Sequence, residues 1–506
     1  MHISREEYRV TVSKKYGEYI FYILLIGVSF LALLLFGEGG YYEYTDSYLY
    51  IQMKSSQGVV PLYPLFIHAH RKILGEEFYL YGVVISQTVL CIACVTCWNI
   101  WIRRRFKAGY FILALVYLVS LIPFTIDMPI TLINHSILTE ALAYPLFYIF
   151  VIFFMEAAFR KKIGWGISVF GWAILMALIR TQMQICLGFA FLDFVYILWN
   201  REKKQQNHGR KRKFICYVFS VVCGLIAMVL GEIAVLQINQ FLVVVQQEVR
   251  ENYFAQEKNN KSESLNQKKS SQDAASNMTG QFDSILIDKT FYEIEENDWI
   301  YFKDKEVQEL VRDIYAVSEE EQSNYKHSRN DLWKWQDIMN GTAGGTSIVR
   351  KGWENYLEDN PDSILNGNQK EVNRHISFVL LKKHWPRILY HMLCMLPQGF
   401  ICTVFFQIEE IYGLCHAYTL LIYTAAIILM IYGIKKRKVS QSRYELMAGI
   451  LTLNIGMVVV ICTVFFGMQR YLIYGFGIFY TAFLLMLEDI WHAQKQRRER
   501  DSNIGL

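Results

Sequence analysis

The chain has 506 residues, of which 53% are hydrophobic and 15% aromatic, and carries a formal net charge of +5. That is too apolar for an ordinary soluble domain and too poor in charge for a disordered chain, so the composition specifies a polytopic membrane protein. Its Lys and Arg residues gather in short segments between apolar runs, a pattern that sets topology and argues against nucleic acid as a partner.

Read in chain order, the pattern predicts an all-α polytopic membrane protein with about ten transmembrane helices. Arg5, Arg9, Lys14 and Lys15 precede an apolar run from Tyr19 to Phe36, and no small-residue cleavage site follows, so this run reads as a retained first span. Further runs of spanning character cover roughly 77–102, 109–126, 136–158, 163–179, 184–199, 214–238, 414–434, 445–466 and 471–490. With ten spans, every short basic cluster falls on one side: Lys14-Lys15, Arg103 to Arg105, Arg160 to Lys162, Arg210 to Lys213, Lys435 to Lys438, and Lys495 to Arg500. The positive-inside rule makes that side cytoplasmic and places both termini there. The count requires 163–199 to be two short helices that turn near Arg180 to Gln184.

Three regions follow. Residues 1–238 form an N-terminal transmembrane module of about seven spans with a first outer loop at 38–76, and 239–413 form a large extracytoplasmic loop region. Residues 414–506 form a C-terminal module of about three spans with a basic tail. Within the middle region, Glu248 to Asn277 is polar and reads as disordered or loosely helical, whereas the aromatics between Phe282 and Val349 suffice for a small helical subdomain. Gly341 to Thr346 reads as a flexible loop, since no Lys follows it as a phosphate-cradling loop would require. Residues 386–406 are apolar enough for an eleventh span, but counting them would put Lys435 to Lys438 outside. The recurrence of Lys382, Lys383, His384, Trp385, Arg387 and His391 predicts instead an amphipathic helix lying in the interface.

Polar groups from distant segments then meet at the outer face. Glu43, Asp46 and Tyr48 come from the first outer loop, which closes with Arg71 and Lys72. Asp127, His135 and Glu140 come from the second outer loop and the start of the fourth span, Arg180 from the hairpin turn, and Arg470-Tyr471 from the head of the last span. Each has an ordinary reading. A loop Asp is usually solvated, Asp127 beside Met128-Pro129 suits a helix cap, Arg71 and Lys72 suit lipid headgroups, and Arg470 suits a snorkelling end residue. Glu140 and Arg180 are sharper, because a charge within apolar flanks needs a partner or a cavity. Neither the His68/His70/His135 set nor Cys91, Cys94 and Cys97 makes a metal site: His68 and His70 cannot share a helix face, and the cysteines lack a fourth ligand.

At these residues the chain resembles the GT-C superfamily of polyprenyl-phosphate-sugar-dependent glycosyltransferases, which includes protein O-mannosyltransferases and the aminoarabinose transferases of lipid A. The likeness consists of Tyr44-Thr45-Asp46-Ser47-Tyr48 in a tyrosine-rich first loop, Pro61-Leu62-Tyr63-Pro64-Leu65-Phe66 after it, and Leu138-Thr139-Glu140-Ala141-Leu142. His384-Trp385-Pro386 and a late Arg470-Tyr471-Leu472 complete it. It covers the first 200 residues and the last 130, and departs from the family where Tyr474-Gly475-Phe476-Gly477 stands in place of the prolines often seen there.

The resemblance implies a GT-C-like bundle with interfacial helices in which Asp46 is the principal catalytic carboxylate and Glu140, or else Asp127, the second acid. It also implies that Arg180 and Arg470 hold the lipid phosphate, with Arg71 and Lys72 as further phosphate candidates and Glu43, Tyr48, His135 and Tyr471 as candidates for substrate contact. Such an enzyme takes a polyprenyl-phosphate sugar as donor, lies among membrane lipids with its active site extracytoplasmic, and transfers the sugar to a glycan, lipid or protein acceptor. No cofactor is implied with certainty; the second acid could orient either the acceptor or a divalent metal. The rival readings are an oligosaccharide polymerase or ligase using lipid-linked sugar, a transporter or flippase, and a non-catalytic scaffold. A transporter would place charges near the midplane and broken helices in paired halves, a pattern this sequence lacks.

Overall fold

A computed structural model of the chain describes residues 5–36, 40–54, 60–125, 133–205, 210–260, 280–328, 345–406, 408, 411–436, 439–464 and 469–504. The described elements are helical. In order they are α1 (Arg5–Phe36), α2 (Thr45–Ile51), α3 (Leu62–Phe106), α4 (Tyr110–Thr125), α5 (Glu140–Arg160), α6 (Ile163–Ile179), α7 (Ile185–Gln205) and α8 (Arg210–Asn260). There follow α9 (Gly280–Phe291), α10 (Lys305–Glu320), α11 (Tyr325–Ser328), α12 (Gly345–Asp359) and α13 (Gln369–Val404). The chain closes with α14 (Tyr412–Lys436), α15 (Gln441–Val464), α16 (Gln469–Leu472) and α17 (Tyr474–Ile504). Among the described residues, seven helices are long and apolar enough to cross a membrane, and the apolar α4 and α6 are shorter. A helix stands at each of the ten expected spans, the last of them in α17.

The breaks between helices follow from particular residues. In α3 the backbone kinks at Gly75, whose φ of 76° is open to glycine without a Cβ clash. The segment beginning at Leu62 is thereby set off from the long apolar run that ends in Arg103, Arg104 and Arg105. Between α6 and α7 the chain turns where expected: Arg180 has extended backbone (φ −153°, ψ 127°) and a 3₁₀ turn, Thr181–Gln184, follows it. The run Tyr474 to Gly477 has a packing cause. A Cβ on Gly477 would lie 2.0 Å from the Tyr148 hydroxyl and 3.0 Å from Ser120 Cα, and one on Gly475 would lie 2.4 Å from Asn454 Oδ1. Only glycine lets α17 approach α4, α5 and α15 this closely.

Since α5 runs from Glu140 to Arg160, the two ends of the bundle are separated by about 30 Å. At the basic end, buried Arg443 meets Glu488 at 2.8 Å and Asp489 at 3.0 Å and donates to the carbonyls of Leu485 and Phe106. These bonds join α3, α15 and α17. Asp46, Glu140, Arg180 and Arg470 gather at the opposite end.

The middle region contains a helical subdomain with its own core, in which Phe291, Phe302, Leu310, Ile314, Ile348, Trp353, Tyr356, Ile376 and Leu380 are buried together. Helix α10 is amphipathic: Val307, Leu310, Val311, Ile314 and Val317 recur on its buried face, and Asp304 caps it by accepting from the Glu306 N–H at 2.9 Å. A charge cluster ties this subdomain to α13. Asp298 accepts from His384 Nε2 at 2.9 Å, Arg387 donates to Glu295 at 2.7 Å and to His384 Nδ1 at 3.0 Å, and His391 meets Glu293.

The segment expected to form an interfacial helix lies within one longer helix, α13. It is continuous over 36 residues, its first part packed on the subdomain and its last turns wedged into the bundle. A Cβ on its Gly399 would meet Cys462 Sγ at 2.4 Å and Val458 at 3.0 Å, so α13 and α15 are in close contact there. Tyr480 donates to the Val404 carbonyl at 2.6 Å and Thr403 bonds the Tyr423 hydroxyl at 2.7 Å, which fixes the end of the helix. The stretch from Lys261 to Asn277 and the Gly341 to Gly344 loop lie outside the described residues.

Candidate functional site

The first and second loops are sewn together by their backbones. Tyr42 N–H donates to the His135 carbonyl and Ile137 N–H to the Tyr42 carbonyl, both at 3.0 Å, forming a short parallel bridge. Ser47 Oγ donates to the Ile137 carbonyl at 2.8 Å, and Gln87 Nε2 donates to the carbonyls of Asn134 at 2.9 Å and Ser136 at 3.2 Å. These bonds set α2, with Asp46 in its first turn, against the start of α5, where Glu140 is the first residue.

Two acids and two bases alternate in space. Glu140 pairs with Arg180 Nη1 through one carboxylate oxygen and stands 3.8 Å from Arg470 Nε through the other. Arg470 Nη1 lies 3.4 Å from Asp46 Oδ2. The order Asp46, Arg470, Glu140, Arg180 links α2, α16, α5 and the α6–α7 turn, and the four formal charges cancel. The two acids differ in exposure: the Glu140 side chain is 4% exposed and that of Asp46 44%.

Neighbouring groups orient the arginines. Arg180 donates to Thr139 Oγ1 at 3.0 Å and to Gln182 Oε1 at 2.7 Å, and Arg470 donates to the Tyr471 hydroxyl at 2.7 Å. Both guanidinium groups lie over the Tyr471 ring, at 5.2 Å for Arg180 and 4.8 Å for Arg470, within cation–π range. Burial works against the Arg180 charge, and the Glu140 carboxylate outweighs it, holding the Arg180 pKa above its ordinary value. Of the buried polar atoms without a hydrogen bond among the described residues, three lie in this cluster: Glu140 Oε1, Arg470 Nε and the Tyr474 hydroxyl. Glu140 Oε1 and Arg470 Nε face each other at 3.8 Å, a charge contact longer than a hydrogen bond.

The structure thus brings together Asp46, Glu140, Arg180, Arg470 and Tyr471. The other described candidates make their contacts elsewhere or face solvent. Buried His135 has both ring nitrogens directed at backbone carbonyls, Gly40 and Leu33, each at 2.9 Å, and so serves the loop fold. Arg71 is engaged by Tyr79 at 2.7 Å, Glu76 at 3.3 Å and the Ile51 carbonyl at 3.3 Å. Lys72 and Glu43 are exposed, and the exposed Tyr48 accepts from Lys54 at 2.9 Å. Asp127 lies outside the described residues. Thr139 and Tyr474, which the sequence offers only within longer motifs, and the buried Tyr50, which it does not single out, join the site. The two tyrosines sat among so many interfacial aromatics that spacing gave no signal.

A divalent cation fits this donor set poorly, since binding at Glu140 would place it against two guanidinium groups. Among the described residues, one group of metal-ligating side chains comes close enough together, Glu295, Asp298 and His384. Arg387 bonds two of these three, so they serve one another in the subdomain latch.

Comparison with known proteins finds no family model, no curated protein and no solved structure that matches the chain. Among the described residues the protein is helical, with seven helices long and apolar enough to cross a membrane.

Proposed function

We propose that the protein is an inverting glycosyltransferase that moves a sugar from a polyprenyl-phosphate donor to an acceptor at the extracytoplasmic membrane face. The observation that carries this reading is the meeting of Asp46, Arg470, Glu140 and Arg180, which are up to 424 residues apart in sequence, at the end of the bundle away from the basic clusters.

The geometry supports the following roles. Asp46 is half exposed and lies at the N-terminus of α2, open to an incoming acceptor. Its carboxylate takes the proton of the acceptor hydroxyl as that oxygen attacks the anomeric carbon. The bond from the anomeric carbon to the phosphate oxygen breaks with its electron pair going to the phosphate, and Arg470 and Arg180 stabilise the charge that develops. Glu140, buried between the two arginines, keeps like charges together that would otherwise repel. The exposed apolar residues of α3 and α8, among them Phe78, Ile85, Phe241 and Val244, suit contact with a lipid chain and with bilayer lipid. The test is transfer from a polyprenyl-phosphate sugar by the purified protein, with Asp46→Asn and Glu140→Gln alongside; wild-type turnover in both variants would refute the assignment.

A further inference from the structure

We infer that Gln469 is a positioning residue for Arg470, and that it acts by gripping the end of α13. Arg470 needs such a hold. Its contacts with the two carboxylates are long, 3.4 and 3.8 Å, and its one short bond, to the Tyr471 hydroxyl, stays within the four-residue helix α16 and moves with it. Tyr471 therefore orients the guanidinium within α16, and the position of α16 itself needs another hold.

The turn is anchored from outside by Gln469, which is 2% exposed. Its side-chain amide donates to the Cys402 carbonyl at 3.3 Å and to the Phe405 carbonyl at 3.2 Å. An amide NH₂ has two N–H groups, one for each carbonyl. The acceptors belong to the last turn of α13 and to the residue that ends it, Phe405, whose backbone is extended (φ −148°, ψ −174°). Helix C-termini leave carbonyls without intrahelical partners, so this is where a side-chain donor has most to offer.

The far end of the grip is firm. Gly399 lets α13 close on Cys462 and Leu472, and Tyr480 and Tyr423 bind Val404 and Thr403. On the other side of Arg470, the Tyr144 hydroxyl donates to the Ile473 carbonyl at 2.9 Å. Gln469 and Tyr144 thus bracket Arg470, and through α13 the bracket extends to the His384–Asp298 contact of the subdomain, about 30 Å away along the helix.

The consequence for activity rests on the transferase reading; the geometry does not. The test uses the full chain purified in detergent and reads arginine modification by phenylglyoxal, followed by peptide mass spectrometry. Gln469→Met removes both donors at nearly constant volume, and Gln469→Glu keeps the shape while replacing the donor with an acceptor, so that one variant stands if the other does not fold. In either, Arg470 is expected to react about fivefold faster or more, the scale of one neutral hydrogen bond lost, while Arg180 changes less. An unchanged Arg470 rate in a folded variant would overturn the inference, whatever the transfer assay gives. A wild type that transfers no sugar would refute the proposed function and leave the labelling result standing. Where transfer is observed, Gln469→Met is expected to slow it in the wild-type background and to add no further loss to Arg470→Ala; equal losses in both backgrounds would mean that Gln469 does not act through Arg470.

Discussion

Arg470 stands between two carboxylates of opposite character: Asp46, half exposed at 3.4 Å, and Glu140, buried at 3.8 Å. One guanidinium therefore joins the open side of the site to its closed side. In the proposed reaction the open acid handles the proton and the closed acid handles the arginines.

Replacing Arg470 with Lys keeps the charge and loses the planar fork that reaches both acids. The expected outcome is a fall in transfer rate of about 10²-fold, comparable to the loss of one preorganised donor, read from initial rates at saturating donor. A rate within twofold of wild type would remove Arg470 from the chemistry.

Glu140→Ala leaves Arg180 buried without its carboxylate. Breaking a buried pair from one side costs about 3–5 kcal/mol, and denaturant unfolding in detergent should show a loss of that size. Adding Arg180→Met removes the orphaned charge and should restore part of it. If the double variant is no more stable than Glu140→Ala, the pair is not the source of the loss.

Gly477→Ala places a methyl group against the Tyr148 hydroxyl and the Ser120 backbone, where α17 meets α4 and α5. Overpacking of this kind costs about 1–3 kcal/mol, to be read as a lowered unfolding temperature. Gly164→Ala, which meets nothing within 4 Å, is the control and should leave stability near wild type.

The subdomain should be acid-sensitive. Burial alone would raise the Glu295 carboxyl, but hydrogen bonds from Tyr325 and Arg387 and the Arg387 charge hold it below the ordinary range. Glu319 is likewise lowered, against burial, by Asn324, His327 and Tyr315. A lowered folded pKa means that the unfolded state binds protons first, so this stability is full above the ordinary glutamate value of about 4.3 and is lost as pH falls below it. Hydrogen exchange in α10 and α11 of the full chain should therefore accelerate as pH drops through that window, after correction for intrinsic exchange, and in Glu295→Gln the acceleration should be smaller.

Much of this arrangement was legible in the sequence, for identifiable reasons. Charge placement required a turn at Arg180, and the extended backbone of that residue provides it. Glu140 and Arg180 stood out because ionisable groups in apolar flanks need partners, and they are partners of each other. His135 and Arg71 carried the same polarity signal, yet their side chains are engaged in holding the loops together. A sequence shows that a polar group needs a partner, not whether that partner is backbone or substrate. The path of α13 was hidden because its final turns are apolar, and the residues that dock them in the bundle, among them Gly399, Thr403 and Gln469, are unremarkable taken singly. Gln469 itself gave no signal, since its partners are main-chain carbonyls.

The most direct test of the central claim is the rate of sugar transfer from a polyprenyl-phosphate donor by Asp46→Asn, measured beside the wild type in the same detergent and at the same pH. The account predicts that the wild type transfers and that the variant is slower by at least about 10²-fold while remaining folded, since a positioned general base contributes on that scale. Transfer by Asp46→Asn at the wild-type rate would contradict it.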